Sequence, residues 1–114
     1  MRGIDRHKVR TAFHGAVNMD AGEIAAWLET PESRRVGQVK EGEAESVGRR
    51  SGRRIAAILL TPEPELTEED YVHMRKVCGF VRRHRAQEPA NVVTSRWRYS
   101  LMNWGHDPLK DPAF

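Results

Sequence analysis

The sequence predicts an all-α protein, a single compact domain of five or six helices over residues 1–114. Apolar residues recur at helical spacing along most of the chain, N-cap residues precede most of these stripes, and no segment has a convincing strand pattern. A length of 114 residues suits one hydrophobic core. The 39% hydrophobic and 31% charged residues are typical of a soluble globular protein with a charged surface.

Three helices are predicted in the first third of the chain. Three polar residues stand where helix N-caps are expected: Asp5, Asp20 and Thr30. The first helix covers about residues 5–18, and the second begins with a capping box in which Glu23 is the partner. The third is short, since it starts at Pro31 and stops near Gly37.

An exposed loop is predicted for residues 37–50, "GQVKEGEAESVGRR", because this stretch holds three glycines and few apolar residues. Ser51 and Gly52 are expected to begin the next helix. Thr67 begins the longest helix, which ends near Arg85 and has acidic residues in its first turn.

Several classes of protein find no support in the sequence. The longest apolar run covers residues 55–60, whereas a membrane span needs about 20 residues. The N-terminus lacks the apolar core of a signal peptide, and Cys78 is the single cysteine. We therefore expect a cytoplasmic protein that does not enter the membrane.

Enzymatic activity has one weak candidate pair. His106 and Asp107 could act as an acid/base pair, but Pro108 follows them directly, and this favours a turn. Cys78 lies on the apolar stripe of the longest helix and is expected to be a buried, inert thiol. The five histidines lack metal-binding spacing, and no cofactor motif is present. The protein is therefore not expected to be an enzyme or to need a metal or cofactor, although the acid/base pair stays open as an alternative.

Charge is distributed unevenly along the chain. Residues 46–60 carry four arginines and no acidic residue, and residues 61–70 carry five acidic residues and no basic one. Residues 71–100 carry seven basic residues and one acidic residue. Two basic segments separated by an acidic one indicate an anionic partner.

The longest helix is predicted to display one basic face. Its members have the spacing i, i+1, i+4, i+7 and i+8 and lie opposite the apolar stripe: Arg75, Lys76, Gly79, Arg82 and Arg83. A glycine inside a helix costs about 1 kcal/mol relative to alanine, so a close approach by another helix or by a phosphate backbone is expected there. The alternative is an ordinary solvated face with a helix-packing glycine.

A second basic element precedes the apolar run at residues 55–60. Its members are Arg49, Arg50, Ser51, Gly52, Arg53 and Arg54. If Ser51 caps the helix, its first backbone N–H groups and four guanidinium groups would form an anion site. The alternative is a plain solvated helix start.

The C-terminal stretch "RWRYSLMNWGHDP", residues 96–108, is the part of the chain richest in aromatic residues. A last helix is expected to begin near Thr94 or Ser95. Three of its residues are spaced to face the core: Trp97, Leu101 and Trp104. Arg96 and Arg98 interleave with aromatic residues, as in proteins that stack on unpaired bases, and are weaker candidates for nucleic-acid contact.

Three stretches in this order resemble a known family: "ESVGRRSGRRIAAIL", "LTEEDYVHMRKVCGFVRRHRAQ" and "TSRWRYSLMNWGHDP". The family consists of small bacterial proteins of unknown function, some of which carry the label DNA-binding protein. With "MDAGEIAAWLETPESRRVG" near the start, the resemblance covers nearly the whole chain. It implies no particular activity, cofactor or catalytic residue, and the DNA-binding label agrees with the charge pattern.

Taken together, these patterns predict a protein that binds nucleic acid, with double-stranded DNA as the favoured partner. The contacts would be made to phosphates by the two basic elements. Little sequence specificity is expected, because no base-reading Asn or Gln stands out. The alternative is an interaction module or homodimer in which the acidic segment 63–70 of one copy meets the basic face of another.

Overall fold

Six α-helices form between residues 3 and 111, the part of the chain that the computed structural model describes, and this part contains no strand. In chain order they are α1 Arg6–Ala16, α2 Ala21–Leu28, α3 Pro31–Arg34, α4 Val47–Leu59, α5 Glu68–Arg85 and α6 Arg96–Asn103. A turn of 3₁₀ helix, Glu63–Glu65, precedes α5. The expected all-α class, with five or six helices in one compact domain, is confirmed.

Each of these helices begins with an N-cap residue. The side-chain oxygen of that residue accepts a backbone N–H that the first turn leaves unpaired. The caps are Asp5, Asp20, Thr30, Ser46, Thr67 and Ser95. The capping box of α2 is complete: Glu23 N donates to Asp20 Oδ1 at 2.7 Å, and Asp20 N donates to Glu23 Oε1 at 2.9 Å. Five of the six caps match the sequence prediction.

The start of α4 differs from the prediction. Ser46 Oγ accepts the Arg49 N–H at 3.1 Å, so the helix begins at Val47 and not at Ser51. The loop predicted over residues 37–50 is correspondingly four residues shorter. Its last glycine, Gly48, belongs to the helix, where a side chain would meet Trp104 Nε1 at 3.1 Å. This glycine therefore marks a close helix approach and not a loop.

The core lies where two helix pairs meet. Helix α1 packs on α5, α2 packs on α4, and α6 contacts α2, α3, α4 and α5. Both pairs and α6 contribute side chains with no solvent exposure: Phe13, Ile24, Ile55, Val77, Val81 and Leu101. The interior position predicted for the apolar residues of α6 is confirmed, since Trp97, Leu101 and Trp104 are all buried.

The turn after α6 fastens that helix to the junction between α1 and α2. Gly105 has φ +80°, and its carbonyl accepts N–H groups from Asn18 and Met19 at 3.1 and 3.2 Å. His106 is fully buried, with Nδ1 2.6 Å from Ala16 O. The turn predicted for this sequence therefore has a defined role, which is to hold two distant segments together.

Candidate nucleic-acid interface

The basic face of α5 consists of Arg75, Lys76, Arg82 and Arg83. All four side chains are exposed, and none of the ion pairs formed within residues 3–111 includes them. A Cβ at Gly79 would lie 3.0 Å from Arg83 Nη1, so the guanidinium group of Arg83 extends over this glycine. Gly79 thus gives space to a neighbouring arginine of the same face.

A groove between α1 and α5 borders this face on one side. It measures about 250 Å³, and its lining includes Lys8, Arg75 and Arg82. Cys78 lines the same groove and is half-buried, so the thiol expected to be buried is less buried than predicted. Burial raises the pKa of the Cys78 thiol, which leaves it a poor nucleophile at neutral pH.

The other side of the basic face borders a second cavity, which we call the cationic pocket. It has a volume of about 250 Å³ and lies between α4 and α5. Its lining is Lys40, Val47, Arg50, Ser51, Arg54, His73, Lys76 and Trp104. The two basic segments of the sequence therefore meet here, since α4 contributes Arg50 and Arg54 and α5 contributes Lys76.

Two of the four cations in the cationic pocket are paired within the chain. Arg50 Nη1 lies 3.2 Å from Glu43 Oε1, and Arg54 Nη2 lies 3.3 Å from Asp70 Oδ1. Both arginine side chains are about half exposed, and such pairs exchange partners at little cost. The pocket can therefore present its guanidinium groups to an anion.

A serine and a histidine form a hydrogen bond in the wall of the cationic pocket. Ser51 Oγ lies 2.9 Å from His73 Nε2. Burial lowers the pKa of His73 to about 4, and the positive charges of Arg54 and Lys76 add to this effect. The imidazole is therefore neutral at physiological pH, and the positive charge of the pocket comes from its lysines and arginines.

The anion site predicted at a Ser51 helix start is wrong. Ser51 lies inside α4, so its backbone is not the free end of a helix. Gly52 packs against α6, where a Cβ would lie 2.5 Å from the Asn103 carbonyl oxygen. Neither residue offers the backbone N–H groups that the prediction required.

Arg49 is buried and faces the protein interior. Its Nη1 donates to Glu45 Oε2 at 2.6 Å, its Nε donates to Ser33 Oγ at 3.3 Å, and its Nη2 donates to the Leu28 carbonyl. Arg53 also donates to Glu45, at 2.8 Å, and this hydrogen bond is the main reason why the pKa of Glu45 is lowered. The contacts of Arg49 and Arg53 thus lie within the fold.

The arginines of α6 make two different kinds of contact. Arg98 forms a bidentate ion pair with Asp107, with both N–O distances at 3.1 Å, and it also donates to Val93 O. Burial by itself would raise the pKa of Asp107, but the hydrogen bonds from Arg98 and from the Leu109 N–H lower it overall. Arg96 is exposed and donates to the backbone of Arg35.

The alternative in which His106 and Asp107 act as an acid/base pair would need both side chains to reach a substrate. The carboxylate of Asp107 is occupied by Arg98, and His106 has no exposed surface. Among residues 3–111 no group of three His, Cys, Asp or Glu residues is arranged to hold a metal ion. In the same part of the chain, no helix has the length and apolar character that a bilayer crossing requires.

Sequence reasoning missed a column of stacked rings between α5 and α6. Neighbouring ring centroids are 4.3 to 6.4 Å apart, with interplanar angles of 13° to 21°. In order, the rings are His73, Trp104, Phe80, His84 and Trp97. Their spacing was a usable signal, because the α5 members lie at i, i+7 and i+11 on one helix face.

Part of this column lines a third cavity, which we call the aromatic pocket, with a volume of about 370 Å³. Its lining is Gly37, Gln38, Val47, Gly48, Lys76, Phe80, Arg83, His84, Ser100, Asn103 and Trp104. It shares Val47, Lys76 and Trp104 with the cationic pocket, so the two cavities adjoin. Lys76 and Arg83 of the basic face stand along its edge.

Comparison with known proteins gives a family and no function. No curated protein and no solved structure matches the chain. One family, described as "Protein of unknown function (DUF3140)", matches residues 12–102. This range includes α4, α5 and nearly all the residues of both pockets. The chain therefore belongs to the DUF3140 family.

Proposed function

We propose that this protein binds nucleic acid, chiefly double-stranded DNA, through contacts to phosphates. The observation that carries the proposal is the basic face of α5, where four exposed cations have no ion-pair partner within the described residues. Arg50 and Arg54 extend this positive surface into the cationic pocket. Lysine and arginine at such positions gain affinity by releasing counterions from DNA.

Low sequence specificity is part of the proposal. From Arg75 to Arg83 the basic face rises about 12 Å along the helix, enough to contact phosphates on a duplex. The proposal assigns the arginines and the lysine of this face to phosphates, and α5 contains no Asn or Gln, the residues that read adenine in the major groove. The contacts would therefore position the protein on DNA without selecting a sequence.

The homodimer alternative has less support. Glu63 pairs with Arg10 and Glu68 pairs with Arg6, each at 3.3 Å. Asp70 pairs with Arg54. Much of the acidic segment is therefore neutralised within its own chain, whereas the basic face is not, and an external anion is the better complement.

The proposal includes a setting in the bacterial cytoplasm and no enzymatic activity. It draws on the resemblance to small bacterial proteins and on a single cysteine, which suits a reducing compartment. DNA and RNA are both present in that compartment.

The salt dependence of binding tests the proposal. Anisotropy of a labelled duplex, titrated between about 50 and 200 mM salt, should give a linear fall of log K with log salt. For about four to six neutralised phosphates the expected slope is about −4 to −5. The proposal would be overturned if the duplex did not bind at about 50 mM salt, or if its affinity did not depend on the salt concentration.

A pair of double variants tests the assignment of the face. Arg75→Gln with Arg82→Gln should make the slope shallower by about 2 and weaken binding. The matched control, Arg34→Gln with Arg35→Gln, removes the same charge from the C-terminal end of α3, a helix that packs against α2 and α6. Equal losses from both double variants would show that net charge, and not the basic face of α5, drives binding.

A further inference from the structure

The indole N–H of Trp104 is unusual among those of the three tryptophans. Trp27 Nε1 donates to Asn103 Oδ1 at 2.7 Å, and Trp97 Nε1 donates to the His84 carbonyl. Trp104 is 5% exposed, yet its Nε1 makes no hydrogen bond within residues 3–111. The Trp104 N–H has no protein partner within these residues and is accessible to solvent, so it has a donor to offer to a ligand.

Trp104 lines both the cationic pocket and the aromatic pocket. A side chain at Gly48 would lie 3.1 Å from Trp104 Nε1, so the glycine leaves this donor accessible. His84, which also lines the aromatic pocket, has a buried Nε2 without a hydrogen-bond partner in the described chain. Two residues that carry an unpaired polar atom therefore line one cavity.

The aromatic pocket suits a flat ligand that is partly apolar. Its lining combines Phe80, Trp104 and Val47 with a few polar groups, as is usual for small-molecule sites. Its volume of about 370 Å³ lies within the range of about 300–1,000 Å³ that such sites occupy. A nucleobase has this shape and carries acceptor atoms for an indole N–H.

The adjoining cationic pocket suits a phosphate. Lys40, Arg50, Arg54 and Lys76 are the basic residues in its lining. Arginine matches the geometry of phosphate oxygens, and lysine adds a compact charge. Lys76 lines both cavities, so it stands where the two parts of one ligand would join.

We propose that the joined pockets bind one nucleotide unit, with its phosphate in the cationic pocket and its base in the aromatic pocket beside Trp104. One source of this unit is the unpaired 5′-phosphorylated end of a nucleic acid, and for that source the inference rests on the proposed function. A free nucleoside 5′-monophosphate has the same chemistry.

The indole resonances in an ¹⁵N-labelled protein provide the test. Trp104→Phe and Trp97→Phe variants assign the three N–H cross-peaks. The protein is titrated with adenosine 5′-monophosphate and, separately, with a duplex that ends in an unpaired 5′-phosphorylated adenosine. The Trp104 cross-peak should shift in a saturable way with at least one of these, while the Trp27 and Trp97 cross-peaks move far less. Saturation by the monophosphate indicates a free nucleotide, and saturation only by the overhang indicates a nucleic-acid end.

Two single variants locate the binding. Lys76→Gln should weaken binding of the responding ligand about ten-fold or more, since it removes a charge-assisted hydrogen bond. Lys8→Gln is the matched control, because it removes the same charge from an exposed lysine of α1 that lines neither pocket. It should change that affinity by less than about three-fold.

Three results would overturn the inference. One is a Trp104 cross-peak that stays unmoved by millimolar monophosphate and by the overhang. Another is equal affinity for inorganic phosphate and for the monophosphate, which would leave the base without a role. The third is an equal effect of both variants. Salt-dependent binding of a blunt duplex, measured in parallel, reports on the proposed function separately, so the two can fail independently.

Discussion

Arg49 and Arg50 are adjacent in the sequence and occupy opposite environments. Successive residues of an α-helix point about 100° apart, so one of two neighbours can face the interior while the other faces solvent. Arg49 is 7% exposed and lies against α2 and α3, while Arg50 lines the cationic pocket. Because the sequence predicted a loop here, it assigned both arginines to the same surface.

Replacing Arg49 should affect stability. Arg49→Ala leaves Ser33 Oγ and the Leu28 carbonyl without their guanidinium donor and removes one of the two arginine partners of Glu45; each buried group left unsatisfied costs about 1–3 kcal/mol. We expect a loss of about 3 kcal/mol in the free energy of unfolding, measured by urea denaturation. Arg53→Ala removes the other partner of Glu45 from a half-exposed position and should cost less than about 1 kcal/mol. Equal losses would contradict the interior role of Arg49.

Trp104 contributes to the fold through the stacked column. Its ring centroid lies 4.3 Å from that of Phe80 and 6.2 Å from that of His73. Trp104→Ala should lower the free energy of unfolding by about 3–5 kcal/mol, because it leaves a cavity in the core. Trp104→Phe retains a ring and should lose clearly less. An unchanged melting temperature for the alanine variant would show that the indole does not stabilise the fold.

At the scale of the helices, local signals explain what the sequence predicts well. The caps Asp5, Asp20 and Thr67 act on N–H groups two or three residues away, so the chemistry needed to recognise them lies within one turn. The start of α4 was missed because Gly48 and Gly52 lie in that helix for a tertiary reason. Both pack against α6, which follows more than forty residues later in the chain.

The same distinction applies to the candidate site. Helical periodicity places Arg75, Lys76, Arg82 and Arg83 on one face, so the basic face of α5 follows from the sequence. The cationic and aromatic pockets do not, because they depend on how α4, α5 and α6 pack and on the loop that carries Lys40. Trp104 is identified as a core residue by its spacing, whereas its unpaired N–H is evident only in the structure.

Two helical glycines should respond to alanine in opposite ways. A Cβ at Gly52 would lie 2.5 Å from the backbone oxygen of Asn103, so Gly52→Ala must separate α4 from α6 and should cost about 1–3 kcal/mol. A Cβ at Gly15 meets nothing within 4 Å, so Gly15→Ala should gain up to about 1 kcal/mol from helix propensity. Thermal denaturation of both variants checks the pair. A stabilised Gly52→Ala protein would contradict the close contact between α4 and α6.

At the scale of the whole molecule, internal pairing separates the two signs of charge. Acidic residues before and at the start of α5 pair with arginines of α1 and α4, namely Arg10, Arg6 and Arg54. The four residues of the basic face further along α5, Arg75, Lys76, Arg82 and Arg83, have no such partners in the described chain. A net charge of +3 therefore understates the positive charge of this one face.

Three histidines, of which His106 is buried and His73 and His84 are partly buried, link the stability of the molecule to pH. Burial is the main cause that lowers the pKa of His73, His84 and His106. In the unfolded chain each would return to its ordinary pKa near 6.5. Between that value and the lower folded pKa, the unfolded state binds more protons than the native state. Stability must therefore increase with pH across this window and decrease on acidification.

The expected outcome is a fall in the melting temperature as the pH drops from about 7 to about 5, before carboxylate protonation becomes important. The carboxylates with lowered pKa, including Glu45 and Asp107, lose their stabilising effect only at still lower pH. His73→Gln should make the melting temperature depend less on pH, since the pKa of His73 is about 4 in the folded protein and therefore far below its unfolded value. His7→Gln, at an exposed position of α1, is the matched control and should leave the slope unchanged. If the melting temperatures of the wild type and of the His73 variant had the same slope against pH, the imidazole of His73 would not be neutral in the native state. The description of the cationic pocket would then have to change.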